Sequence, residues 1–510
     1  MQRRILLAGS IAAALAPRAA GAAGPAAPAG PAGPADAPFD AGTVKRMARE
    51  RAAAAFKAAD TKLPDQLTKL DYDAYRSIRF DPAQSLWRGA GLGFEAQFFH
   101  RGWLYPERVD VFEVIDGVAK PVVYRPAMFN FGGQAAPPEG DLGFAGFRLQ
   151  APINKPDYYD EICVFLGASY FRAVGRNEGY GLSSRGLSLN TGDQGGEEFP
   201  AFRAFWLERP QRGTSSIVVH ALLDSQSCAA AIRFTIRPGA DTTMDMETTL
   251  YPRVDLTQMG VGTGTSMFFF DASNRAGIDD YRRAVHDSDG LMMLTGRGEQ
   301  VWRQLANPRK LQVSAFGDTS PRGFGLVQRK RMLRQYEDLE AHYERRPSLW
   351  VEPIGDWGEG QVRLLEIPSK DEVHDNIVAF WRPKQPLAAK SEVNYTCRLH
   401  WSDLPPVQSP LARFTATRSG AGTVAGARLF VLDLEGEALK ALAPDAAPRF
   451  AVSADKGKIL NPVAHAAPEI GGWRLAFELL PENADLVELR AQLLAGDTLL
   501  SETWLYRWTA

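Results

Sequence analysis

Apolar and polar positions change over quickly along most of this chain. Stretches 108–114, 215–222, 231–236 and 361–367 are short runs rich in β-branched and aromatic residues, separated by Gly, Pro and Asn, which predicts antiparallel strands joined by turns. Near the start the texture differs. Residues 43–59 are Ala-rich and charged with Val44, Met47 and Phe56 on one side, which predicts an amphipathic helix capped by Thr43. No strand-helix-strand rhythm and no phosphate-cradling loop follows, and the glycines at 260, 262 and 264 read as a tight turn ahead of Met267 and three phenylalanines. Residues 401–410 carry three prolines and mark a boundary. Beyond it, strands are expected at 428–434, 449–454, 473–480 and 486–494, a size and spacing that suit an immunoglobulin-like sandwich of roughly 100 residues.

The first residues bear on location. Arg3 and Arg4 precede an apolar stretch at 5–16, and Ala20-Gly21-Ala22 offers a cleavage site, the pattern of a twin-arginine export signal; an ordinary secretory signal is the alternative. An apolar run of roughly twelve residues is too short to cross a bilayer of about 30 Å, so a periplasmic protein without stable membrane insertion is expected. The organisation that follows is a signal at 1–22, an Ala/Gly/Pro tether at 23–38 too poor in large apolar groups to order itself, a large β-domain at 39–395 and a second at 403–510. With 510 residues and 45% hydrophobic content the chain can bury such cores. The net charge is −2 with no basic stripe, which argues against nucleic acid as a partner. Cys163, Cys228 and Cys397 are odd in number and far apart, so they read as small buried hydrophobes.

The candidate chemistry lies in two segments, His286-Asp287-Ser288-Asp289-Gly290 and Asp371-Glu372-Val373-His374-Asp375-Asn376. Each places an acid directly after a histidine, amid the aromatic, Arg and Asn residues that stack on sugar rings and hydrogen-bond hydroxyls. Paired carboxylates are what glycosidic bond cleavage needs. Asp287 and Asp289 can equally be turn formers. A metal reading of His286, Asp287, Asp289, His374 and Asp375 is a minor alternative, because histidines at helical spacing and the remaining ligands of a calcium loop are missing; no metal and no cofactor is expected. Trp302, Tyr343, Trp350, Trp357 and Trp381 are candidates to stack on sugar rings, and Arg346, Arg382 and Glu352 to hold hydroxyls, although tryptophan in a β-protein is as a rule core. The charge run at 329–340 reads as a lid or as a solvated segment.

Several longer strings carry a resemblance: Leu142-Gly-Phe-Ala-Gly-Phe-Arg148, Phe165-Leu-Gly-Ala-Ser-Tyr-Phe-Arg-Ala-Val174, Glu198-Phe-Pro200, the segment beginning at His286, Arg346-Pro-Ser-Leu-Trp-Val-Glu-Pro353 and Ser501-Glu-Thr-Trp-Leu-Tyr506. From about Phe39 onward the chain resembles the periplasmic glucan biosynthesis proteins G and D, and its twin-arginine start is more like the D member. The resemblance implies a galactose-mutarotase-like β-sandwich followed by an immunoglobulin-like domain, working in the synthesis of osmoregulated periplasmic glucans. It also implies a glycoside hydrolase, an inverting endo-β-1,2-glucanase with Asp375 as general acid and Asp287 as general base. Inversion would set the two carboxyls about 6.5 to 9.5 Å apart. Asp375 precedes the apolar run 377–381, where partial burial would keep its proton on. The alternative is a non-catalytic glucan-binding factor. The partners implied are the β-glucan polysaccharide and a membrane glucosyltransferase of glucan synthesis.

Overall fold

Central strands such as Ile217–Asp224, Cys228–Arg237 and Met259–Ser266 are buried along nearly their whole length, others such as Tyr170–Ala173 and Leu486–Ala495 alternate, and two large sheets pack on one core. The computed structural model describes residues 36–137, 140–440, 442 and 447–510; the expected export signal, and all of the tether but its last three residues, lie outside the described residues. Among the described residues one sheet has sixteen strands and the other ten. The first contains the hairpin series Ala201–Glu208, Ile217–Asp224, Cys228–Arg237 and Thr242–Pro252, continues through Val393–Ser402 and Ser348–Ile354, and reaches Gly290–Leu294 and Gln300–Gln304. The second holds Tyr158–Leu166, Tyr170–Ala173, Met259–Ser266, Ile377–Pro383 and Glu359–Glu366. Aromatic rings lock the layers together. Phe165 packs edge-on against Phe205 and Phe234, and Phe171 against Trp401, with centroids 5.2 to 5.9 Å apart. The all-β sandwich expected from the sequence is the fold, and the three cysteines are free and buried in its strands.

The C-terminal residues add a four-stranded sheet, Arg413–Ala421, Arg428–Glu435, Gly472–Leu480 and Lys458–Ala467. Their other strands extend the large sheet: Thr503–Thr509 pairs in parallel with Gln300–Gln304, and Leu486–Ala495 and Arg449–Ala454 follow outward. Between these layers Phe430, Phe477 and Trp504 pack with Trp302 and Trp350.

Two local expectations need correction. The helix is shorter, Thr43–Ala53, with Gly42 at its cap position; the Asp40 carboxylate, not Thr43, accepts from the Gly42 N–H, and Val44 and Ala48 form the buried face. Phe56 lies beyond its end. The glycine-rich segment is not a turn but part of strand Met259–Ser266. Its glycines answer to close packing. A Cβ on Gly260 would lie 2.4 Å from the Phe380 ring, and Gly262 adopts φ +61° at a bulge against Ile377–Pro383. Gly260→Ala should therefore displace Phe380 and lower stability by about 1 to 3 kcal/mol; an unchanged thermal midpoint would refute this.

A second test concerns His100, buried with Nδ1 against the Arg101 carbonyl at 2.6 Å and Nε2 against the Tyr124 hydroxyl at 2.8 Å. Burial pushes its pKa down to about 4. The unfolded chain, with its histidine near pH 6.5, then binds the extra proton first, so stability falls as pH drops from about 6.5 to about 4. His100→Gln should cost about 2 kcal/mol more at pH 7 than at pH 5, read by urea unfolding. Equal costs at the two pH values would contradict the assignment.

Candidate functional site

The short stretch Ser266, Met267 and Phe268 gathers both acid-bearing segments. The Asp287 N–H donates to the Met267 carbonyl at 2.8 Å, and Phe268 pairs with His286 across a two-stranded ribbon. From the other side, the Asn376 N–H donates to the Ser266 carbonyl, and its side-chain amide accepts from the Phe268 N–H and donates to the Phe268 carbonyl, at 2.8 to 3.0 Å. Ser266 and Ser288 hydroxyls meet at 2.8 Å. Asp287 and Asp375 therefore flank one segment although 88 positions separate them. Both are buried, at 3% and 9% exposure, whereas His374 is exposed.

Asp287 is ion-paired with the Arg346 guanidinium. Burial alone would lower the Arg346 pKa, but Asp287 more than reverses this and the group stays charged. Arg346 also lies over the Tyr343 ring at 4.3 Å. Tyr343 itself is 2% exposed and packs on Tyr336, so this aromatic orients the arginine and presents no open face for a sugar. The tryptophans expected to stack on glucose need the same correction. Trp302, Trp350 and Trp381 are at most 2% exposed, and Trp357 is buried with its indole N–H donating to the Thr396 carbonyl. All four are core residues, because in this sandwich their large apolar area is worth more inside than at the surface. Glu352 pairs with His400 at 2.9 Å on the neighbouring strand.

Residues 329–346 cross over this region in two short 3-10 turns. Sequence reading missed what holds them. Arg282 binds Asp280, Asp338 and Glu372 at 2.6 to 2.8 Å, joining its own loop to the crossing segment and to the loop that carries Asp375. Arg329 forms a forked pair with the buried Glu502 and lies 3.5 Å above Trp302, so the C-terminal residues anchor the same segment. The signal was present as a charge run, but nothing in a run of charges names partners far along the chain.

Asp289 is no simple turn former. Its carboxylate accepts from the Arg329 and Lys330 N–H groups and from the Lys330 ammonium, which also binds Asp271 at 2.8 Å. Burial would raise the Asp289 pKa, yet Lys330 and these hydrogen bonds hold it below its ordinary value. Asp271, His286 and Asp289 offer ligand atoms within 4.8 Å of one another. Lys330 already supplies the positive charge that a cation would bring, and His286, stacked flat on Phe268, is pushed below its usual pKa by burial and stays neutral. The metal alternative named His286, Asp287, Asp289, His374 and Asp375; His286 and Asp289 belong to this cluster, whose third member is Asp271 in place of the other three.

A family model described as periplasmic glucan biosynthesis protein, MdoG, matches residues 39–508. A glucans biosynthesis protein G of Rhodopseudomonas palustris (strain BisA53) is 58% identical over 474 residues, 93% of this chain and 94% of the relative. The protein of that name from Bradyrhizobium diazoefficiens is 55% identical over 514 residues and covers all of both chains. A glucans biosynthesis protein G 1 of Shewanella oneidensis is 49% identical over 476 residues, 92% of this chain and 87% of the relative. These relatives bear the G name, so the leaning toward the D member is not supported. They also overturn the glycoside hydrolase expectation, because the role their names record is biosynthetic. Among the described residues no helix is long and apolar enough to cross a membrane.

Proposed function

The chain belongs to the periplasmic glucan biosynthesis protein family, and on that premise we propose that it is a glucan-binding factor, holding a β-1,2-linked chain where the segments bearing Asp287, Arg346 and Asp375 meet. The family's work is the synthesis of osmoregulated periplasmic glucans. The observation that carries the binding reading is the buried pair of Asp287 and Arg346. Its carboxylate offers acceptors and its guanidinium donors, a combination matched to the vicinal hydroxyls of a glucose ring. The positive partner already balances the carboxylate's charge. In this account the protein steers the growing polymer and hands it on, with a membrane glucosyltransferase as the partner that supplies it. Export follows the twin-arginine start, so replacing Arg3 and Arg4 by Lys should empty the periplasmic fraction of the protein.

Isothermal titration with linear β-1,2-glucan, alongside an assay for new reducing ends, tests the function. Saturable binding without chain cleavage is the expected result. Cleavage, or no binding at millimolar glucan, would overturn it.

A further inference from the structure

We propose a second binding site, for a saturated alkyl chain, in the cavity that opens beside Gly167 and Ala168. The cavity holds about 370 Å³, within the roughly 300 to 1,000 Å³ of small-molecule sites. Val109, Val164 and Leu166 wall it on one side, and Phe171, Phe202 and Phe205 wall it where the two sheets meet. At its mouth Leu104 is 47% exposed and Phe199 40%, so the apolar lining reaches solvent.

The wall chemistry selects the occupant. A glucose ring carries hydroxyls around its edge, and this cavity would leave most of them without partners. The one acid on the lining, Glu107, is already paired with Arg203 at 2.7 Å. An apolar chain that leaves its polar end in solvent at the mouth suits such walls. The space equals about a dozen water-sized volumes of about 30 Å³, room for roughly ten carbons.

The test is a fluorescence titration of the mature full-length protein with 1-N-phenylnaphthylamine, displaced by hexanoate, octanoate and decanoate. Each buried methylene strengthens binding about fourfold, so each step of two carbons should tighten the apparent Kd by about fifteenfold and level off beyond roughly ten carbons. Ala145→Phe, which fills the cavity, should abolish displacement. If that variant fails to fold, Leu104→Ser with Phe199→Ser at the exposed rim should weaken decanoate at least tenfold. Absence of saturable binding, affinity independent of chain length, or variants that bind like the parent would each overturn the site. Vesicles of phosphatidylglycerol separate the sources: cosedimentation that decanoate abolishes names a membrane lipid, and decanoate binding without cosedimentation names a free acid.

Discussion

Arg282→Ala should loosen three loops at once. The side chain is 8% exposed and binds Asp280, Asp338 and Glu372, whose side chains are 17%, 8% and 10% exposed. Burial by itself would lower the arginine's pKa, but these carboxylates raise it above its usual value, so the hub is charged throughout the working range. Removing it leaves three poorly solvated acids facing one another, a loss of about 3 to 5 kcal/mol by comparison with other broken buried pairs. Arg282→Lys should not restore it, because one ammonium cannot reach three carboxylates in the planar fork geometry. Hydrogen exchange should quicken in residues 279–284, 333–345 and 368–374 while the central strands stay protected. Unchanged exchange in those loops would mean that Arg282 is not what holds them.

The second large effect concerns affinity for glucan. Arg346→Ala takes away the guanidinium donors and leaves the Asp287 carboxylate buried without its counter-charge. Hydrogen bonds to charged groups are worth about 1.5 to 3 kcal/mol, so the Kd should rise between about tenfold and a hundredfold. Arg346→Lys should recover only part of this, since the ammonium keeps the charge but loses the fork and the planar stacking on Tyr343. Binding as tight as that of the parent would place the glucan elsewhere.

Much of the fold was legible because it rests on local rules. The strands at Arg428–Glu435, Arg449–Ala454 and Leu486–Ala495 lie within a residue or two of where alternating and β-branched residues put them. The glycines at 260, 262 and 264 misled because a glycine signals both turns and close approach, and only the distant Phe380 distinguishes them. The site divided in the same way. That the two His-Asp segments are candidates was readable from their composition, and the structure brings both segments against Ser266, Met267 and Phe268. Which aromatics face solvent was not visible. Trp302, Trp350 and Trp381 belong to layers whose partners lie up to about two hundred residues away, as Trp302 beside Trp504 illustrates. The partners of Arg282, Lys330 and Glu502 were not legible for that reason: an ion pair is written in space, and neither member carries a local mark of the other.

The central claim is that glucan is held at the pair formed by Asp287 and Arg346. A double-mutant cycle of Asp287→Asn and Arg346→Ala, with each protein titrated calorimetrically against linear β-1,2-glucan, tests it most directly. Two groups acting as one recognition unit should show a coupling of about 1 to 3 kcal/mol, the double variant losing much less than the two single losses added together. Strictly additive losses, or four proteins with the same Kd, would contradict the account.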